Sequence, residues 1–568
     1  MKVHLTKITS FTLSLLVFLL LLALLSSCRN PSPSRGSLPA GELSARAFFG
    51  TAPSRTFYTD KSTLGITREE GLNPNPVLET TMVTTDSMGG IGPNYIVQMV
   101  NFRIAIYDRR SPQLTRVREA SLKEFFAIGN LFPEGDNVGD PRVIYDHTSS
   151  RWFACGMDRS TNRRNNRILL AVSTDSDPVP LNTPANLSDR TWIAAKWKKY
   201  YLRGNETNLL NDYPTMGLDR NGLYISTVFD DYLNSAGISM HKVVAIPIAP
   251  LVNGSTALEQ PVDPANVFVF PSTGGVIQPA LNFDFRPRDN VAWFITKTTA
   301  TTNVTSNLAT NQYRPGGFLY GKLKWTGTRF EKQGNWFDPN NALPVPSTLS
   351  YWDIPASGVN FFAPQPQKSP TSFNLARGGG THIYSAVMRN NRLWICQHVG
   401  FERSGNYTGS GSLPDRSGIV WFQFQVNGNS NPTLAHTTPN PTYGRIWDNI
   451  GTYRTRQWFY YPTLAVNRVG DLLLGFSGSS PNHFVSAYYK GWSAAGPHPT
   501  VLMQSGRDAF AAGGSTRWAD YSATAVDPND TQSFCTFQPY AETLPTGPEE
   551  LEPSPPRWGT SIHIVKVK

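Results

Sequence analysis

The chain has 568 residues and carries 51 Lys and Arg against 41 Asp and Glu, which is a formal net charge of +10. Aromatic residues make up 12% of the chain and charged residues only 16%, and there are 46 glycines and 44 prolines. A composition this aromatic and this poor in charge excludes intrinsic disorder, and the turn residues are scattered too evenly for a linker protein. It is typical of an extracytoplasmic all-β protein that is long enough to bury a large core.

The N-terminus has the pattern of a secretory signal. Lys2 and Lys7 precede an apolar stretch from Phe11 to Leu25, which is shorter than the ~20 residues of a spanning helix. The segment Leu25–Cys28 resembles a bacterial lipobox, in which the cysteine is acylated and becomes the new N-terminus. The alternatives are an ordinary signal peptide with an incidental cysteine and, less favoured, a transmembrane anchor.

The chain divides into three predicted segments: a lipoprotein signal peptide over residues 1–27, a Pro/Ser-rich tether over 28–55 and one folded domain over 56–568. Acylation of Cys28 would make the membrane a partner through a lipid anchor. Arg29 follows the cysteine, in place of the aspartate that holds lipoproteins in an inner membrane. We therefore expect an outer-membrane lipoprotein or a cell-surface protein of the bacterial envelope, and a monomer.

Three cysteines remain after the signal: Cys155, Cys396 and Cys535. Their separations fit neither a CxxC pair nor a Cys/His zinc site, and three thiols allow at most one disulfide. Small hydrophobic residues packed within strands are the favoured interpretation. The nine histidines are scattered singly, so no metal site and no cofactor is predicted, although a structural cation such as Ca²⁺ stays open.

The strongest internal signal is a β-hairpin that recurs along the chain. Each copy is a short strand, a turn built on Asp or Asn with Gly or Pro, and a second strand of aromatic and β-branched residues. One further apolar strand follows every hairpin. The hairpin copies run over Gly92–Val100, Asp140–Ala154, Asp212–Ser226, Gln278–Ile295, His382–Ile395, Tyr460–Leu474 and Asp520–Asp530.

Seven such units predict a β-propeller, most simply one of seven blades, each a four-stranded antiparallel sheet, with long loops between blades. A unit of three or four strands cannot bury both faces of its own sheet, whereas radial repetition packs each sheet against its neighbours. A sandwich of two sheets competes, but it gives no reason for the hairpin to recur. Thr560–Lys568 should share a blade with N-terminal residues to close the ring, and Glu119–Phe126 is the best helical candidate.

Four segments of the repeat resemble a family of secreted bacterial β-propeller proteins that are described as sialidase-like. They are Gly92–Asn101, Asp140–Trp152, Asp212–Thr215 and Arg517–Ser522. The resemblance covers nearly all of the chain after the signal, and it implies the fold and secretion. It implies no activity, and the Asp-box of sialidases (Ser-x-Asp-x-Gly-x-Thr-Trp) is missing here. Sialidases also need three arginines around the substrate carboxylate, and Arg142 and Arg517 lie at matching positions of the repeat, but the sequence does not show that they converge.

Catalytic motifs are absent from the sequence, so the candidate site rests on position in the repeat. The first strand of each propeller blade lines the axial channel, and residues that open the repeats should gather at one mouth. Carboxylates, an arginine and aromatic rings together suit a sugar or a cation. The alternative is that the repeated Asp residues accept backbone hydrogen bonds as scaffold. The candidates are Asn94, Asp140, Asp212, Tyr213, Gln278, Tyr460, Arg517, Trp518, Asp520 and Tyr521.

The leading hypothesis is therefore a membrane-tethered propeller that binds a glycan or a surface protein through its channel mouth and loops. The alternative is an enzyme, a glycoside hydrolase or polysaccharide lyase, that uses Asp140, Asp212 and Asp520 with Arg517. Basic residues around Arg159–Arg167 and Lys196–Arg203 are either a solvated face or a surface for anionic polymers. For an envelope protein an acidic glycan is the expected polymer, and no nucleic acid is predicted.

Overall fold

The computed structural model describes most of the chain from residue 55 onward. The described residues are 55–68, 84–128, 137–159, 167–182, 184–203, 210–230, 239–254, 266–271, 275–284, 290–297, 317–343, 345–346, 348–351, 363–366, 382–406, 414–426, 433–434, 442–452, 455–510, 518–543 and 557–568. The predicted signal peptide and nearly all of the tether, with Cys28, lie outside them, as does Arg517.

The strands form seven small sheets arranged in a ring, which confirms the predicted seven-bladed propeller. The first strand, Phe57–Thr67 (β1), belongs to the last blade. Blade one contains Met88–Ile91 (β2), Tyr95–Val100 (β3), Arg103–Asp108 (β4) and Thr115–Ser121 (β5). Blade two contains Asn137–Asp146 (β6), Arg151–Arg159 (β7), Arg167–Ser173 (β8) and Trp197–Arg203 (β9). Blade three contains Leu210–Leu218 (β10), Gly222–Asp230 (β11), Ser239–Pro247 (β12) and Val267–Pro271 (β13).

The remaining blades follow the same plan with small variations. Blade four contains Gln278–Pro279 (β14), Val291–Lys297 (β16), Phe318–Trp325 (β17) and Phe330–Gln333 (β18). Blade five contains Leu281–Asn282 (β15), Ser385–Arg389 (β19), Arg392–Phe401 (β20), Arg416–Gln425 (β21), Thr433–Leu434 (β22) and Tyr443–Ile446 (β23). Blade six contains Trp458–Val466 (β24), Leu472–Ser480 (β25), His483–Ser493 (β26), Gly496–Pro497 (β27) and Val501–Gln504 (β28). Blade seven contains Ala523–Val526 (β29), Phe534–Ala541 (β30), Trp558–Val567 (β31) and β1.

The innermost strands form the wall of the axial channel. They contact one another in the order β2, β6, β10, β14, β19, β24 and β29, and β29 contacts β2. Ring closure is made by β1, which pairs antiparallel with β31 from Phe57 opposite Val567 to Thr67 opposite Gly559. The prediction that the final strand shares a blade with N-terminal residues is thus confirmed. Close packing between blades requires glycine at position 89, because a Cβ on Gly89 would lie 2.4 Å from the ring of Phe537 in the neighbouring blade seven.

Short helices occur only between strands in the described part of the chain. They are Leu122–Phe126 (α1), Thr191–Lys196 (α2) and Ile248–Val252 (α3), with a 3-10 turn at Pro339–Asn341. The helix predicted over Glu119–Phe126 is shorter than expected, because β5 continues to Ser121, which pairs with Arg103 of β4. Ser121 then caps α1 through a capping box with Glu124. No helix among the described residues is long and apolar enough to cross a membrane.

In blades two, three and six the turn after the first strand is held by an Asp or Asn side chain. In blade three the Asp219 carboxylate accepts hydrogen bonds through Oδ1 from the backbone N–H groups of Asn221 (2.8 Å) and Gly222 (2.9 Å) and from the Tyr224 hydroxyl (3.1 Å). Asn467 and Asp146 play the same part in blades six and two. These residues therefore shape turns.

Burial makes Asp219 a source of pH dependence. It raises the pKa of this carboxyl from 3.8 to about 6, and Oδ2 has no hydrogen-bond partner among the described residues. Between those pH values the folded state binds more protons than the unfolded state, so the free energy of unfolding falls as the pH rises. We expect Asp219→Asn, which keeps an acceptor and removes the charge, to raise the free energy of unfolding by about 1–3 kcal/mol at neutral pH. Denaturant unfolding of both proteins checks this.

The gain should shrink as the pH approaches the usual pKa of an Asp carboxyl, because the wild-type carboxyl is then protonated in both states. A gain of the same size at acidic and neutral pH would show that the Asn side chain acts through packing and not through charge.

Candidate functional site

Three of the innermost strands, which are the first strands of their blades, carry a β-bulge near their N-terminal end. These N-terminal ends lie at one mouth of the axial channel, which we call the strand-start mouth. The pairing register skips between Gly139 and Arg142, between Asp212 and Thr215 and between Tyr460 and Thr463. Each bulge is an X-Pro pair whose first residue has a positive φ: 49° at Asp140, 51° at Tyr213 and 51° at Tyr461. Side chains with a Cβ rarely adopt this conformation, and bulges of this kind redirect side chains beside functional sites.

The redirected tyrosines join a cluster of rings at this mouth, the tyrosine–histidine cluster, made of Tyr213, His382, Tyr384, His398, Tyr461 and Tyr521. The Tyr213 ring lies 5.6 Å from both Tyr521 and His382, centroid to centroid. Tyr384 lies 5.7 Å from Tyr461. Burial raises the pKa of Tyr384 and Tyr521 well above the usual value, so both phenols stay protonated. Because the rings come from four blades (three, five, six and seven), the cluster also packs the inner strands together.

His398 orients one of the bulges. Its Nδ1 accepts a hydrogen bond from the backbone N–H of Tyr461 at 3.2 Å. Burial, with a smaller effect of the nearby Lys297 charge, lowers the pKa of His398 to about 3, so the ring is neutral. A neutral ring is what an accepting Nδ1 requires.

The carboxylates at the strand-start mouth are of two kinds. Some make their hydrogen bonds within the fold, and others have hydrogen-bonding capacity left for a ligand. Asp86 is buried and saturated: it accepts hydrogen bonds from the Asp520 backbone N–H (2.8 Å), from Asn101 Nδ2 (2.6 Å) and from Thr84 Oγ1 (2.7 Å). Asn101 Oδ1 in turn accepts from the backbone N–H of Asp140 at 2.9 Å. This network fixes the backbone at two of the predicted site residues, so Asp86 is structural.

The structure brings five of the predicted residues to this mouth: Asp140, Asp212, Tyr213, Asp520 and Tyr521. Asp140, Asp520 and Tyr521 are buried, whereas Asp212 and Tyr213 are partly exposed. The Tyr213 hydroxyl donates to the Asp520 carbonyl at 3.1 Å. Among the described residues the Asp212 carboxylate accepts only from the backbone N–H of Tyr213, at 3.0 Å, which leaves most of its hydrogen-bonding capacity open.

Other predicted residues lie elsewhere. Asn94 is in the turn between β2 and β3, at the opposite end of the first strand, and donates to Asp177 at 3.0 Å. Tyr460 is buried and donates to Ser479 at 2.9 Å, so its neighbour Tyr461 joins the cluster instead. Trp518 is fully buried against Phe510 and donates to Ser477. Gln278 is buried and lines the channel farther along its axis.

Half of the described cations of the predicted basic surface are paired with carboxylates. Arg167 is paired with the buried Asp158, and Lys196 lies 2.8 Å from Asp175. Lys198 and Lys199 donate to the carbonyls of Gly254 and Ala127. The two ion pairs lower the charge that a polyanion would meet, whereas Lys198 and Lys199 keep theirs.

The described cysteines are packing groups, and no metal-binding cluster lies among the described residues. Cys155, Cys396 and Cys535 are buried and unpaired, and burial raises the pKa of the Cys155 thiol to about 12. These thiols are therefore unreactive and serve as packing groups. No group of three or more His, Cys, Asp or Glu side chains in the described residues could hold a metal ion.

Arg142, one of the two arginines at matching positions of the repeat, is the most informative residue at this mouth. It follows the Asp140 bulge, and its guanidinium lies 3.4 Å from the ring centroid of Tyr521 and 5.5 Å from that of Tyr213. It faces a chamber of about 380 Å³ inside the channel. The repeat alignment contained the only available signal: a charged residue at a first-strand position where other copies have Thr215 and Thr463.

No protein-family model and no curated protein matches the chain. Solved structures with a similar course of the chain include a family 25 polysaccharide lyase, an ulvan lyase, with 11% identity over 79% of this chain and 88% of that chain at a TM-score of 0.35. An α-L-arabinofuranosidase from Fusarium graminearum has 8% identity, covers 90% of this chain and 98% of that chain, and has a TM-score of 0.33. A subtype N10 neuraminidase-like protein of A/little yellow-shouldered bat/Guatemala/060/2010 has 9% identity, covers 70% of this chain and 92% of that chain, and has a TM-score of 0.31. Similarity this low carries no argument about the site.

Proposed function

We propose that this chain is an extracytoplasmic β-propeller that binds a glycan at its strand-start mouth and is held at the membrane by a lipid anchor on Cys28. The observation that carries the proposal is the strained, partly exposed Tyr213, which stands between the open Asp212 carboxylate and His382. A sugar ring has an apolar face that packs on an aromatic ring, and hydroxyls that donate to a carboxylate. Glycan binding thus uses both kinds of group.

Backbone strain supports a functional role for this position. A bulky residue at positive φ is an outlier that costs on the order of 1–3 kcal/mol and persists only where the surroundings enforce it. Here the hydroxyl of Tyr213 is held by Asp520 and its ring by Tyr521. Tyr461 has the same conformation but is buried, so Tyr213 differs from it in being partly exposed beside Asp212.

Binding to a panel of acidic and neutral polysaccharides tests the proposal. We expect the protein that starts after Cys28 to retain at least one glycan, and Tyr213→Ala to weaken that binding about fivefold or more, because the substitution removes the aromatic face on which the sugar packs. Affinity electrophoresis and calorimetry give the two affinities. Tyr213→Phe should keep most of the affinity, because the ring remains.

Tyr58→Ala is the matched control, because Tyr58 lies on β1 at the outer edge of blade seven. It should bind as the wild type does. Equal loss in both variants, or no retention of any glycan by the wild type, would overturn the glycan proposal, and binding to a protein at the cell surface would become the reading to pursue.

Asp212 also favours a second candidate, a glycoside hydrolase or polysaccharide lyase. Its carboxylate is open, and the buried Asp140 and Asp520 lie at the same mouth, as an acid and base pair would require. The same panel distinguishes the two, with new chain ends as the readout. Release of ends by the wild type that Asp212→Asn or Asp140→Asn abolishes would establish the enzyme.

A further inference from the structure

The chamber in the axial channel has no part in the glycan proposal. Its inner end lies at the level of Arg142, Ser385 and Ser522, beside the tyrosine–histidine cluster. Its other end reaches His147, Asp284 and Arg468, which lie in or next to the turns after the first strands. Both His147 and Arg468 are exposed, so the chamber opens at that side, which we call the turn mouth.

The walls between these ends are mostly apolar. They include Ile144, Met216, Leu281, Phe283, Val387 and Ala525. Ile144, Leu281, Phe283 and Ala525 are partly exposed although they belong to or adjoin first strands deep in the ring. Their exposed area is therefore the surface of the chamber, and an apolar molecule of suitable size would remove it from water.

Arg142 is a buried cation at the inner end and has no direct ion pair among the described residues, although the buried carboxyls of Asp86 and Asp140 act on the pKa of the same tyrosine, Tyr521. Arg142 is 5% exposed, and no carboxylate among the described residues lies within 4 Å of its guanidinium. Its Nε donates to the Pro214 carbonyl at 2.6 Å, and its Nη1 contacts only the sulfur of Met88 at 3.6 Å. Arginine keeps its charge in proteins, and buried charges are as a rule paired.

The acids of the chamber cannot supply the missing charge, because each has its own partner. Asp284 lies 2.5 Å from Nη1 of Arg389, and Asp527 is paired with Arg109. Two buried hydroxyls near Arg142, Tyr521 OH and Ser522 Oγ, have no hydrogen-bond partner in the described part of the chain. Ser522 lines the chamber. The same chamber is therefore lined by a buried cation and by a hydroxyl donor that has no partner among the described residues.

We propose that this chamber binds a small carboxylic acid with an apolar body, which enters through the turn mouth. Its carboxylate pairs with Arg142 and accepts from Ser522, and its body lies along the apolar walls. The chamber volume of about 380 Å³ suits a molecule of the size of a medium-chain fatty acid. The two tyrosine rings beside Arg142 hold the guanidinium in place, so the anion site is formed before binding.

Calorimetry with decanoate, decanol and acetate tests this site on the chain that starts after Cys28. Decanoate should bind at least tenfold more tightly than decanol, which lacks the charge, and than acetate, which lacks the body. Arg142→Gln should remove the preference for decanoate over decanol. Ala525→Phe, which fills the chamber away from Arg142, should weaken decanoate binding at least tenfold even if Arg142→Gln fails to fold.

Leu502→Phe is the matched control, because Leu502 is exposed on β28 at the outer edge of blade six and should leave binding unchanged. Equal affinity for decanoate and decanol, no binding of decanoate, or full binding by Ala525→Phe would each overturn the proposal. The chamber and glycan proposals fail separately, because Ala525→Phe should not alter glycan retention and Asp212→Asn should not alter decanoate binding.

Discussion

A chain that begins at residue 69, and so lacks β1, is expected to lose cooperative folding. β1 closes the ring as the outer strand of blade seven, next to β31. It also links that blade to blade one: the backbone N–H of Ile66 donates to Gln98 Oε1 at 3.1 Å, and the Ile66 carbonyl accepts from Thr560 Oγ1 at 2.9 Å. Without β1 these buried groups lose their partners, and β31 becomes an open sheet edge.

We expect the shortened protein to show no single thermal transition by circular dichroism and to elute as aggregates on gel filtration. Its control is a chain that begins at residue 55, which keeps β1 and should unfold as the chain that starts after Cys28 does. A shortened protein with an unchanged transition would mean that six complete blades and three strands hold the ring, and that β1 is dispensable.

Asp86→Ala is the substitution with the largest expected effect on stability. The carboxylate is 1% exposed and receives hydrogen bonds from Thr84, Asn101 and Asp520, so three donors from blade one and the segment before blade seven lose their acceptor together. Unpaired buried donors are costly, and we expect the free energy of unfolding to fall by about 3–5 kcal/mol. Denaturant unfolding monitored by tryptophan fluorescence measures the loss.

Asp60→Ala provides the comparison, because Asp60 is exposed and its salt bridge with Lys566 (2.9 Å) lies at the surface. We expect its effect to stay below about 1 kcal/mol. Asp86→Asn should fall between the two, since it keeps one acceptor oxygen. If Asp86→Ala cost no more than Asp60→Ala, the network at the strand-start mouth would not be a structural one.

The two kinds of carboxylate at this mouth matter for the choice between binding and catalysis. Asp86 has no capacity left for a ligand, whereas Asp212 accepts a single hydrogen bond among the described residues and is partly exposed. Stability experiments therefore report on Asp86, and ligand experiments report on Asp212. Substituting both together would mix the two effects.

Much of the fold follows from local patterns. The apolar strand predicted after each hairpin is present in every blade; for example, Ile168–Val172 lies within β8 and Ile562–Val567 within β31. These segments are predictable because side chains alternate with a period of two and because Asp219 and Asn467 shape their turns through bonds within a few residues. The length of α1 was less predictable, because pairing with β4 extends β5 to Ser121.

The site was only partly predictable, because its residues share the repeat with residues that pack the core. Asn94 and Trp518 fit the same pattern as Tyr213, yet one lies in a turn and the other beneath Phe510. Tyr460 and Tyr461 are adjacent and identical in type, and the bulge at Tyr461 decides which of them reaches the mouth. A bulge depends on the register of the partner strand, which the sequence of one strand does not contain.

The sequence by itself determined the class of fold, the number of repeated units and the sharing of the last blade between the two ends of the chain, because each rests on periodicity, turn chemistry and the need to bury small sheets. Only the tertiary structure decided which side chains converge on the axis and which charges are paired. Arg142 is an ordinary strand residue in the sequence, and it becomes a candidate anion site because seven blades bring it beside two tyrosine rings while every nearby acid of the chamber is engaged elsewhere.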